Sequence, residues 1–382
     1  MSTPDDAFPV LGILGGGQLG KMMAAAAVQM GVAVRLLSPK PAGPMQYYAH
    51  AQTADWTDPD VLRAFAADCT AVTVESEWAP AGALDAVRPD TCALWPAPET
   101  LALIKDKGVQ KQHLAKAGLP VPDFANCPTL NDALDAAQAF GYPVMLKQFR
   151  GAYDGYGNAT AHTPEDLRAA WPDLAADDGL QVEAFVDFSH ELAVQVARRP
   201  GGASVTYPVA HTIQRNHKCH AVHVPAPVAP DVAAEAQRVA HAAVDAVDGV
   251  GLTAVELFAC ADGSVLINEL APRPHNTGHY SIEGCHTSQF ANHVRAVLDW
   301  PLGDPSLRAN AAVMVNVLGD RQGTPPRTTG LPDALQQPNV SVHIYGKPDV
   351  RPGRKMGHVT AVGADVEALR TAAEASATAI QL

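Results

Sequence analysis

Short apolar runs alternate with helical patterns over the first hundred residues. Val10 to Leu14 predicts a buried strand, Leu19 to Met30 a helix, and Val32 to Leu37 the next strand. The stretch LRAFAADCTAVTVESE repeats the order of helix and strand. Regular alternation of this kind predicts an α/β unit with a doubly wound parallel sheet over residues 1–100.

The pattern changes from about residue 140. Strand-like segments now dominate: YPVMLKQ, GLQVEAFVD, ELAVQVARR, VTYPVAHTIQ, LTAVELFAC and SVLINEL. Helical segments such as DVAAEAQRVAHAAVDAVDG lie between them, so residues 101–300 are predicted to form an α+β domain. A smaller β-rich unit over residues 301–382 is predicted to end in an Ala-rich helix from about Val366.

The amino-acid composition mainly argues against several classes of protein. Hydrophobic residues make up 47% and charged residues 18%, as in ordinary globular proteins. No apolar run is long enough to span a membrane, and the N-terminal segment MSTPDDAFPV does not resemble a signal peptide. The six scattered cysteines suit reduced thiols, so we expect a cytoplasmic protein. The net charge of −13 argues against binding to nucleic acid.

Two glutamates in the apolar stretch AVELFACADGSVLINELAP are candidates for a functional site. The Asp-Gly pair at 262–263 predicts a two-residue hairpin turn, which pairs Ala261 with Ser264 and sets Glu256 opposite Glu269. Opposed like charges destabilise a sheet, so either one carboxyl is protonated or a cation lies between them. Mg²⁺ prefers carboxylate oxygens and binds together with substrate phosphates. Two exposed acids beside basic side chains are the alternative.

The glycine turn GGGQLG at 15–20 fits the pattern G-x-G-x-x-G between a strand and a helix. Backbone N–H groups at a helix start can hold an anion. A dinucleotide site also needs an acid at the end of the second strand, where this chain has Ser38. A phosphate-bearing ligand other than a dinucleotide is therefore favoured. NADP, with Lys40 near its extra phosphate, and a tight turn that binds nothing are the alternatives.

A second glycine-rich loop follows Lys147, which lies in the apolar strand VMLKQ. A lysine in a buried strand is rare unless it is paired, and a glycine-rich loop beside it can lie over phosphates. A snorkelling lysine is the alternative, and Lys107 in KDKGVQK can equally belong to a solvated helix face. Glu191 is a candidate partner for ribose hydroxyls, with a plain surface charge as its alternative.

These features occur in an order that resembles the ATP-grasp ligases. Longer segments resemble the N5-carboxyaminoimidazole ribonucleotide synthetase family of purine biosynthesis: LGILGGGQLGKMM, YDGYGN, VEAFVDFSHELAV, INELAPRPHNTGHYSIEG, SQFANHVRAVLDWPL and VRPGRKMGHV. The resemblance implies an ATP-grasp fold with a Rossmann-like N-terminal domain (1–100), a central ATP-grasp domain (101–300) and a small C-terminal domain (301–382). It also implies a homodimer.

The resemblance further implies a two-step reaction. ATP phosphorylates bicarbonate, and the carboxyl group of the resulting carboxyphosphate, or CO₂ released from it, is captured by the amine of 5-aminoimidazole ribonucleotide. Glu256 and Glu269 would hold Mg²⁺, for which Mn²⁺ is an alternative. The positions that correspond to ATP contacts are Lys107, Lys147, Ala152, Tyr153, Asp154, Gly155, Tyr156, Gly157, Asn158, Glu183, Ala184, Phe185, Val186, Glu191, Gln214 and Asn268.

Other positions correspond to the remaining substrates. Arg273, His275 and Asn276 directly follow the second glutamate strand. Arginine is a fixed donor fork that suits bicarbonate and carboxyphosphate, and His275 is expected to donate to the same group. Together with Lys355 these residues form the expected catalytic set. The residues expected to contact the ribonucleotide are Gln18, Glu75, Asp154, Arg351 and Arg354.

Three positions depart from the family pattern. Lys107 stands where arginine is common, Tyr156 where a lysine or arginine is usual, and Gln214 where a histidine usually contacts ATP. Lysine keeps the charge but loses the planar fork, and Tyr156 removes a cation from the second glycine loop. Three alternatives therefore stay open: a sibling ATP-grasp ligase with another amine substrate, an NADP-dependent oxidoreductase, and a nucleotide-binding protein without catalysis.

Overall fold

The structure is a computed structural model that describes residues 8–41, 43–45, 51–86, 92–151, 156–215, 218–323 and 328–382. Its strands form three sheets, one parallel and two antiparallel. None of the helices in the described ranges combines the length and the apolar character needed to cross a bilayer.

The first sheet is parallel, with the strand order β3-β2-β1-β4-β5. Its elements are β1 (Val10–Leu14), α1 (Gln18–Gln29), β2 (Ala33–Ser38), β3 (Ala51–Thr53), α2 (Pro59–Ala66), β4 (Ala71–Val74), α3 (Ala81–Ala86) and β5 (Ala93–Leu94). The predicted doubly wound sheet is confirmed. The strand order reverses between β1 and β4, and ligands of such sheets bind outside the carboxyl ends of the strands at this point.

The second sheet has four antiparallel strands in the order β6-β9-β7-β8. This part of the chain contains α4 (Pro98–Ile104), α5 (Lys107–Lys116), β6 (Phe124–Cys127), α6 (Leu130–Phe140), β7 (Val144–Gln148), β8 (Asn158–Ala161), α7 (Pro164–Leu174) and β9 (Leu180–Ala184). One apolar core is shared by this sheet and α6 and α7, and it contains Leu146, Leu167 and Val182. The opposite face is left to line a cavity.

The third sheet is the largest, with nine strands. Its part of the chain contains β10 (Phe188–Arg198), β11 (Ser204–Thr206), β12 (Ala210–Arg215), β13 (Lys218–Val224), α8 (Pro230–Ala246), β14 (Gly251–Cys260), β15 (Val265–Ala271), α9 (Ser281–Gly284), α10 (Gln289–Val297), β16 (Ala311–Leu318), α11 (Leu331–Ala334), β17 (Val340–Ile344), β18 (Lys355–Gly363) and α12 (Val366–Ala379). Because β13 pairs with β16, the C-terminal strands continue the sheet of the central region. The chain boundary predicted near residue 300 therefore does not interrupt this sheet.

The turn between β14 and β15 differs from the one predicted. The Cys260 N–H donates to the Ser264 carbonyl at 2.9 Å, so the turn consists of residues 261–263. Asp262 Oδ1 accepts a hydrogen bond from the Ser264 N–H at 2.9 Å, which favours this longer turn. The predicted pairing of Ala261 with Ser264 is therefore wrong.

A β-bulge further along the hairpin restores the expected pairing of the glutamates. Leu257 pairs with Ile267, but the next pair is Glu256 with Glu269, so Asn268 is the extra residue. In a bulge two residues of one strand oppose one residue of the other. Asn268 and Glu269 consequently both line the same cavity, opposite Glu256.

Helix α10 joins the first sheet to the large sheet. Phe290 and Val294 of α10 share an apolar core with Met23 of α1. The buried ring of His293 accepts a hydrogen bond from the Leu252 N–H at its Nδ1 (3.0 Å), and its Nε2 therefore donates to Thr73 Oγ1 (2.9 Å). This ring fixes the carboxyl end of β4 relative to β14.

Candidate active site

Two adjoining cavities contain most of the predicted site residues. The larger, of about 740 Å³, lies between the four-stranded sheet and the large sheet, and the smaller, of about 270 Å³, lies at the carboxyl ends of β1 and β4. Glu269, His275 and Lys355 line both cavities. A molecule in one cavity can therefore lie next to a molecule in the other.

Glu256 and Glu269 lie side by side on the wall of the larger cavity, as predicted. Burial, and then the neighbouring Glu269, raise the pKa of Glu256. Burial also opposes ionisation of Glu269, but the ammonium of Lys107, which contacts Glu269 Oε2, lowers the pKa of Glu269 overall. Glu269 thus has a lysine partner, whereas the positive charges near Glu256 do not offset the effect of its burial.

This donor set fits a hard divalent cation. Asn268 adds an amide oxygen next to the two carboxylates. Among the described residues, no group of three or more His, Cys, Asp or Glu side chains could hold a metal on its own. Mg²⁺ commonly binds through one or two carboxylates and completes its shell with substrate phosphates and water. The unbalanced charge of Glu256 is what such an ion would neutralise.

A largely buried network of charges forms part of the wall of the larger cavity. Lys147 Nζ is 2.8 Å from Glu183 Oε2 and donates to Asn268 Oδ1 at 2.9 Å. Lys111 Nζ is 3.0 Å from the other oxygen of Glu183. Lys111 did not emerge from the sequence, and the solvated helix face considered for KDKGVQK is wrong at this position, since Lys111 is 2% exposed. Its burial depends on β15, which is distant in the sequence.

Part of the wall of the larger cavity is apolar and aromatic. The rings of Phe188 and Phe258 stack there, with centroids 4.7 Å apart and an interplanar angle of 11°. Both line the cavity, and neither was predicted, because an aromatic residue in a strand is usually part of a core. The predicted residues that line this cavity are Lys147, Asn158, Glu183, Ala184, Phe185, Val186, Glu191, Gln214, Glu256, Asn268, Glu269, His275 and Lys355.

The smaller cavity contains the glycine turn, but its N–H groups are already occupied. The N–H of Gly17 donates to Glu75 Oε1 at 2.6 Å, and the N–H of Gly20 donates to Glu75 Oε2 at 2.9 Å. A Cβ atom would lie 2.3 Å from Glu75 Cγ if added at Gly15, and 2.6 Å from Glu75 Oε1 if added at Gly17. The carboxyl group of Glu75 is thus the partner of these two N–H groups, and binding of a ligand's phosphate by the turn stays a prediction. Pairing of β1 with β4 brings the two together.

Arg273 extends into the smaller cavity and is held by Glu77. Its Nε and Nη2 donate to the two carboxylate oxygens of Glu77 at 2.5 and 3.0 Å. Burial raises the pKa of Glu77, but the guanidinium lowers the pKa more strongly. Glu77, which was not predicted, lies two residues after Glu75. The donor fork of Arg273 is thus paired with Glu77, and its predicted contact with bicarbonate stays a prediction.

His275 lies where the two cavities meet. Its Nδ1 is 3.0 Å from Thr277 Oγ1 and 3.7 Å from Glu256 Oε1. Burial, followed by the positive charges of Arg273 and Lys355, lowers the pKa of His275 to about 4. The ring is therefore neutral near pH 7 and can donate one hydrogen bond.

Some predicted residues are engaged elsewhere. Arg351 and Arg354 both pair with Asp349, and neither lines either cavity. The amide of Asn276 exchanges two hydrogen bonds of 2.8 Å with Asn316, although Asn276 does line the smaller cavity. Lys107, Gln18, Glu75, Arg273 and Lys355 line that cavity as well.

The second glycine loop is described only in part. Ala152, Tyr153, Asp154 and Gly155 lie outside the described residues. Tyr156 is exposed, and Lys218 Nζ lies 5.3 Å from the centre of its ring. Tyr156 stands where a lysine or arginine is usual, and Lys218 of β13 thus places a cation beside that position.

Three family models match consecutive parts of the chain. Residues 9–105 match the ribonucleotide synthetase preATP-grasp domain, residues 112–290 match the ATP-grasp domain, and residues 312–372 match the phosphoribosylaminoimidazole carboxylase C-terminal domain. The predicted ATP-grasp fold is confirmed. The bounds 1–100, 101–300 and 301–382 stay a prediction.

Curated relatives and solved structures agree with these matches. The N5-carboxyaminoimidazole ribonucleotide synthase of Mycobacterium tuberculosis is 39% identical over 97% of this chain and 87% of its own length. The phosphoribosylaminoimidazole carboxylase of Schizosaccharomyces pombe is 40% identical over 92% of this chain, which spans 65% of that relative's length. A crystal structure of the Aspergillus clavatus N5-carboxyaminoimidazole synthase with ADP and 5-aminoimidazole ribonucleotide has a TM-score of 0.88, is 32% identical, and is covered to 98% by 97% of this chain.

Proposed function

Because this chain belongs to the N5-carboxyaminoimidazole ribonucleotide synthase family, we propose that it carboxylates 5-aminoimidazole ribonucleotide with ATP and bicarbonate. One observation carries the proposal: Glu269, His275 and Lys355 line both a nucleotide-sized cavity and the cavity at the strand switch point. A carboxylating ligase needs such an arrangement, because a reactive carboxyl group must pass from the phosphate end of ATP to an amine.

The larger cavity is assigned to ATP. The apolar surface of the stacked Phe188 and Phe258 rings suits one face of an adenine ring. Glu191, which lies on the strand of Phe188 and pairs with Phe258, suits the ribose hydroxyls. At the opposite end, Lys147 supplies positive charge for the phosphates, and Lys107 lies in the adjoining smaller cavity beside Glu269. Phosphoryl transfer depends mostly on positioning and charge neutralisation, which these cations provide.

Glu256 and Glu269 are assigned to Mg²⁺, with Asn268 beside them. The bound ion would supply charge neutralisation at the β- and γ-phosphate oxygens. Burial and the charge of Glu269 raise the pKa of Glu256 in spite of Lys107 and Lys355, and a bound cation would offset both effects.

The smaller cavity is assigned to the ribonucleotide and the carboxyl group. Bicarbonate oxygen attacks the γ-phosphorus, which gives carboxyphosphate and ADP. The substrate's exocyclic nitrogen then attacks the carboxyl carbon, phosphate leaves, and the nitrogen loses a proton. Arg273 and Lys355 are placed to hold the anionic carboxyl group, and the neutral His275 can donate to it.

Two assignments depend on movement of other groups. Arg351 and Arg354 would bind the ribonucleotide's phosphate only after exchanging Asp349 for it. The loop at 152–158, including Asp154, is assigned to cover the phosphates by family resemblance. A homodimer and a cytoplasmic location also stay predictions.

The decisive experiment measures ADP release and the fate of ¹³C-bicarbonate in parallel. With ATP, Mg²⁺, bicarbonate and 5-aminoimidazole ribonucleotide, we expect ADP release together with a new carbamate ¹³C resonance. Omission of any one component should abolish both signals.

The alternatives give different results in the same experiment. A sibling ligase would release ADP with bicarbonate but without stimulation by this amine, and a non-catalytic protein would bind ATP without turnover. An oxidoreductase would bind NADPH and release no ADP. Any of these results would overturn the proposal.

A further inference from the structure

Helix α5 covers the free edge of β15, the terminal strand of the large sheet. Gln110 accepts a hydrogen bond from the Leu270 N–H at 2.9 Å and donates to the Leu270 carbonyl at 3.3 Å. The next residue, Lys111, donates to the carbonyls of Asn268 at 2.7 Å and Ile267 at 3.3 Å. Side chains of α5 thus replace a neighbouring strand along the bulge.

The ammonium of Lys111 has no access to either cavity. Lys111 is 2% exposed and lines neither of them. Its third contact is an ion pair with Glu183, whose Oε1 lies 3.0 Å from Nζ, so the ammonium is surrounded by three protein oxygens. Burial lowers the pKa of Lys111 to about 8, and the carboxylate of Glu183 opposes this shift. Lys111 therefore cannot bind a substrate directly.

The charges of this cluster do not cancel. Glu183 lies between two ammonium groups, with Lys111 on one oxygen and Lys147 at 2.8 Å from the other. Two cations and one anion leave one net positive charge, and of the two lysines only Lys147 lines the larger cavity. Without Lys111, the carboxylate of Glu183 would cancel the charge of Lys147.

We propose that Lys111 is a positioning residue of the nucleotide site, which neutralises Glu183 inside the protein and so leaves the charge of Lys147 available to the nucleotide's phosphates. This inference rests on the proposed function, because it assigns those phosphates to Lys147. The two carbonyls of the bulge anchor Lys111, so that it stays on Glu183 when the nucleotide binds.

The first test compares Lys111→Met with Lys116→Met, a control in the exposed last turn of the same helix. Calorimetric titration with MgADP should show affinity reduced ~10-fold or more in Lys111→Met, as expected when one charge is lost near a phosphate site. Lys116→Met should bind like the wild type. Wild-type affinity in a folded Lys111→Met protein would overturn the proposal.

The second test uses Glu183→Gln, which also serves if Lys111→Met does not fold. Removal of this carboxylate leaves the charge of Lys147 without a neutralising anion, so we expect Glu183→Gln to bind MgADP more tightly than the wild type. The double variant Lys111→Met/Glu183→Gln should recover most of the affinity lost in Lys111→Met.

A merely structural role for Lys111 predicts a different pattern. Both halves of the ion pair would then lower affinity when replaced, and the double variant would be no better than Lys111→Met. That result would contradict the proposal. If the wild type itself does not bind MgADP, both the proposed function and this inference are overturned, whereas wild-type affinity in Lys111→Met overturns only this inference.

Discussion

Glu256 and Glu269 form the pair of carboxyls to which Mg²⁺ is assigned. The two carboxyls face each other, but only Glu269 contacts a lysine, Lys107. Burial therefore pushes the pKa of Glu256 upwards, which means that the protein without metal stabilises the protonated form. A divalent cation reverses that preference and is the simplest partner for the pair.

Replacement of Glu269 should abolish turnover without unfolding the protein. In Glu269→Gln one anionic ligand is lost and Lys107 loses its partner, so we expect ADP release to fall by ~100-fold or more, comparable to removal of a key electrostatic group. Circular dichroism and the ADP-release assay would test this.

Glu235→Gln is a suitable control for this variant. Glu235 lies on α8 and pairs with the exposed Arg238, so its loss should leave turnover unchanged. Full activity of Glu269→Gln at ordinary Mg²⁺ concentrations would rule out the metal assignment.

The glycine turn at the start of α1 binds the side chain of Glu75. Backbone N–H groups at the start of α1 attract an anion, as the pattern predicts, but β4 delivers the carboxylate of Glu75 to them. The turn therefore fixes Glu75 in the smaller cavity. A dinucleotide's pyrophosphate would compete with this carboxylate, which argues against the oxidoreductase alternative.

A methyl group in this turn should weaken ribonucleotide binding selectively. In Gly17→Ala the new Cβ would lie 2.6 Å from Glu75 Oε1, so the carboxylate must move out of its position. We expect the KM for 5-aminoimidazole ribonucleotide to rise ~10-fold, as when a charged hydrogen-bonding group is displaced, while the KM for ATP stays the same.

Gly82→Ala is the matched control for the same chemical change. Gly82 lies in α3, and an added Cβ would meet nothing within 4 Å. Alanine in a helix should stabilise the fold by about 0.5–1 kcal/mol and leave both KM values unchanged. Equal effects of the two substitutions would contradict the assigned role of Glu75.

Across the whole molecule, the two cavities exist only because separate layers meet. The first sheet contributes Glu75 and Glu77, and the large sheet and the segment after it contribute Glu269 and Arg273. The relative position of these layers depends on α10 and on the buried ring of His293 between Leu252 and Thr73. That ring must be neutral to accept the hydrogen bond from the Leu252 N–H.

Acid should therefore weaken the contact between the layers. Burial lowers the pKa of His293 from 6.5 to about 3. The unfolded chain then binds more protons than the folded protein between these values, so the free energy of unfolding should fall as pH decreases from about 6.5 towards 3. Urea titrations at pH 7 and pH 5 would measure this loss.

His293→Gln isolates the contribution of this ring from those of other histidines. An amide can accept and donate at similar places but does not titrate, so the variant should lose less stability than the wild type between the two pH values. His241→Gln, at a half-buried position on α8, is the control. If the loss of stability between pH 7 and pH 5 were the same in His293→Gln as in the wild type, the ring of His293 would not be its cause.

Much of the fold and some of the site follow from local pattern. The strand predicted at Val10–Leu14 and the helix predicted from Val366 are found at those residues. The opposition of Glu256 and Glu269 was also predicted, although through a turn that is wrong and a bulge that was not foreseen. Hydrophobic periodicity predicts an element and its exposed face, but a single extra residue in a turn leaves no such signal.

Lys111, Glu75 and Arg354 show where sequence reasoning stops. Whether a lysine is buried, which anion reaches a helix start, and whether an arginine is already paired all depend on residues far away in the chain. The amino-acid order sets periodicity, turns and the supply of charged groups, because these act over a few neighbouring residues. The packing of three sheets selects the partner of each charge, since Coulomb attraction and desolvation depend on distance in space.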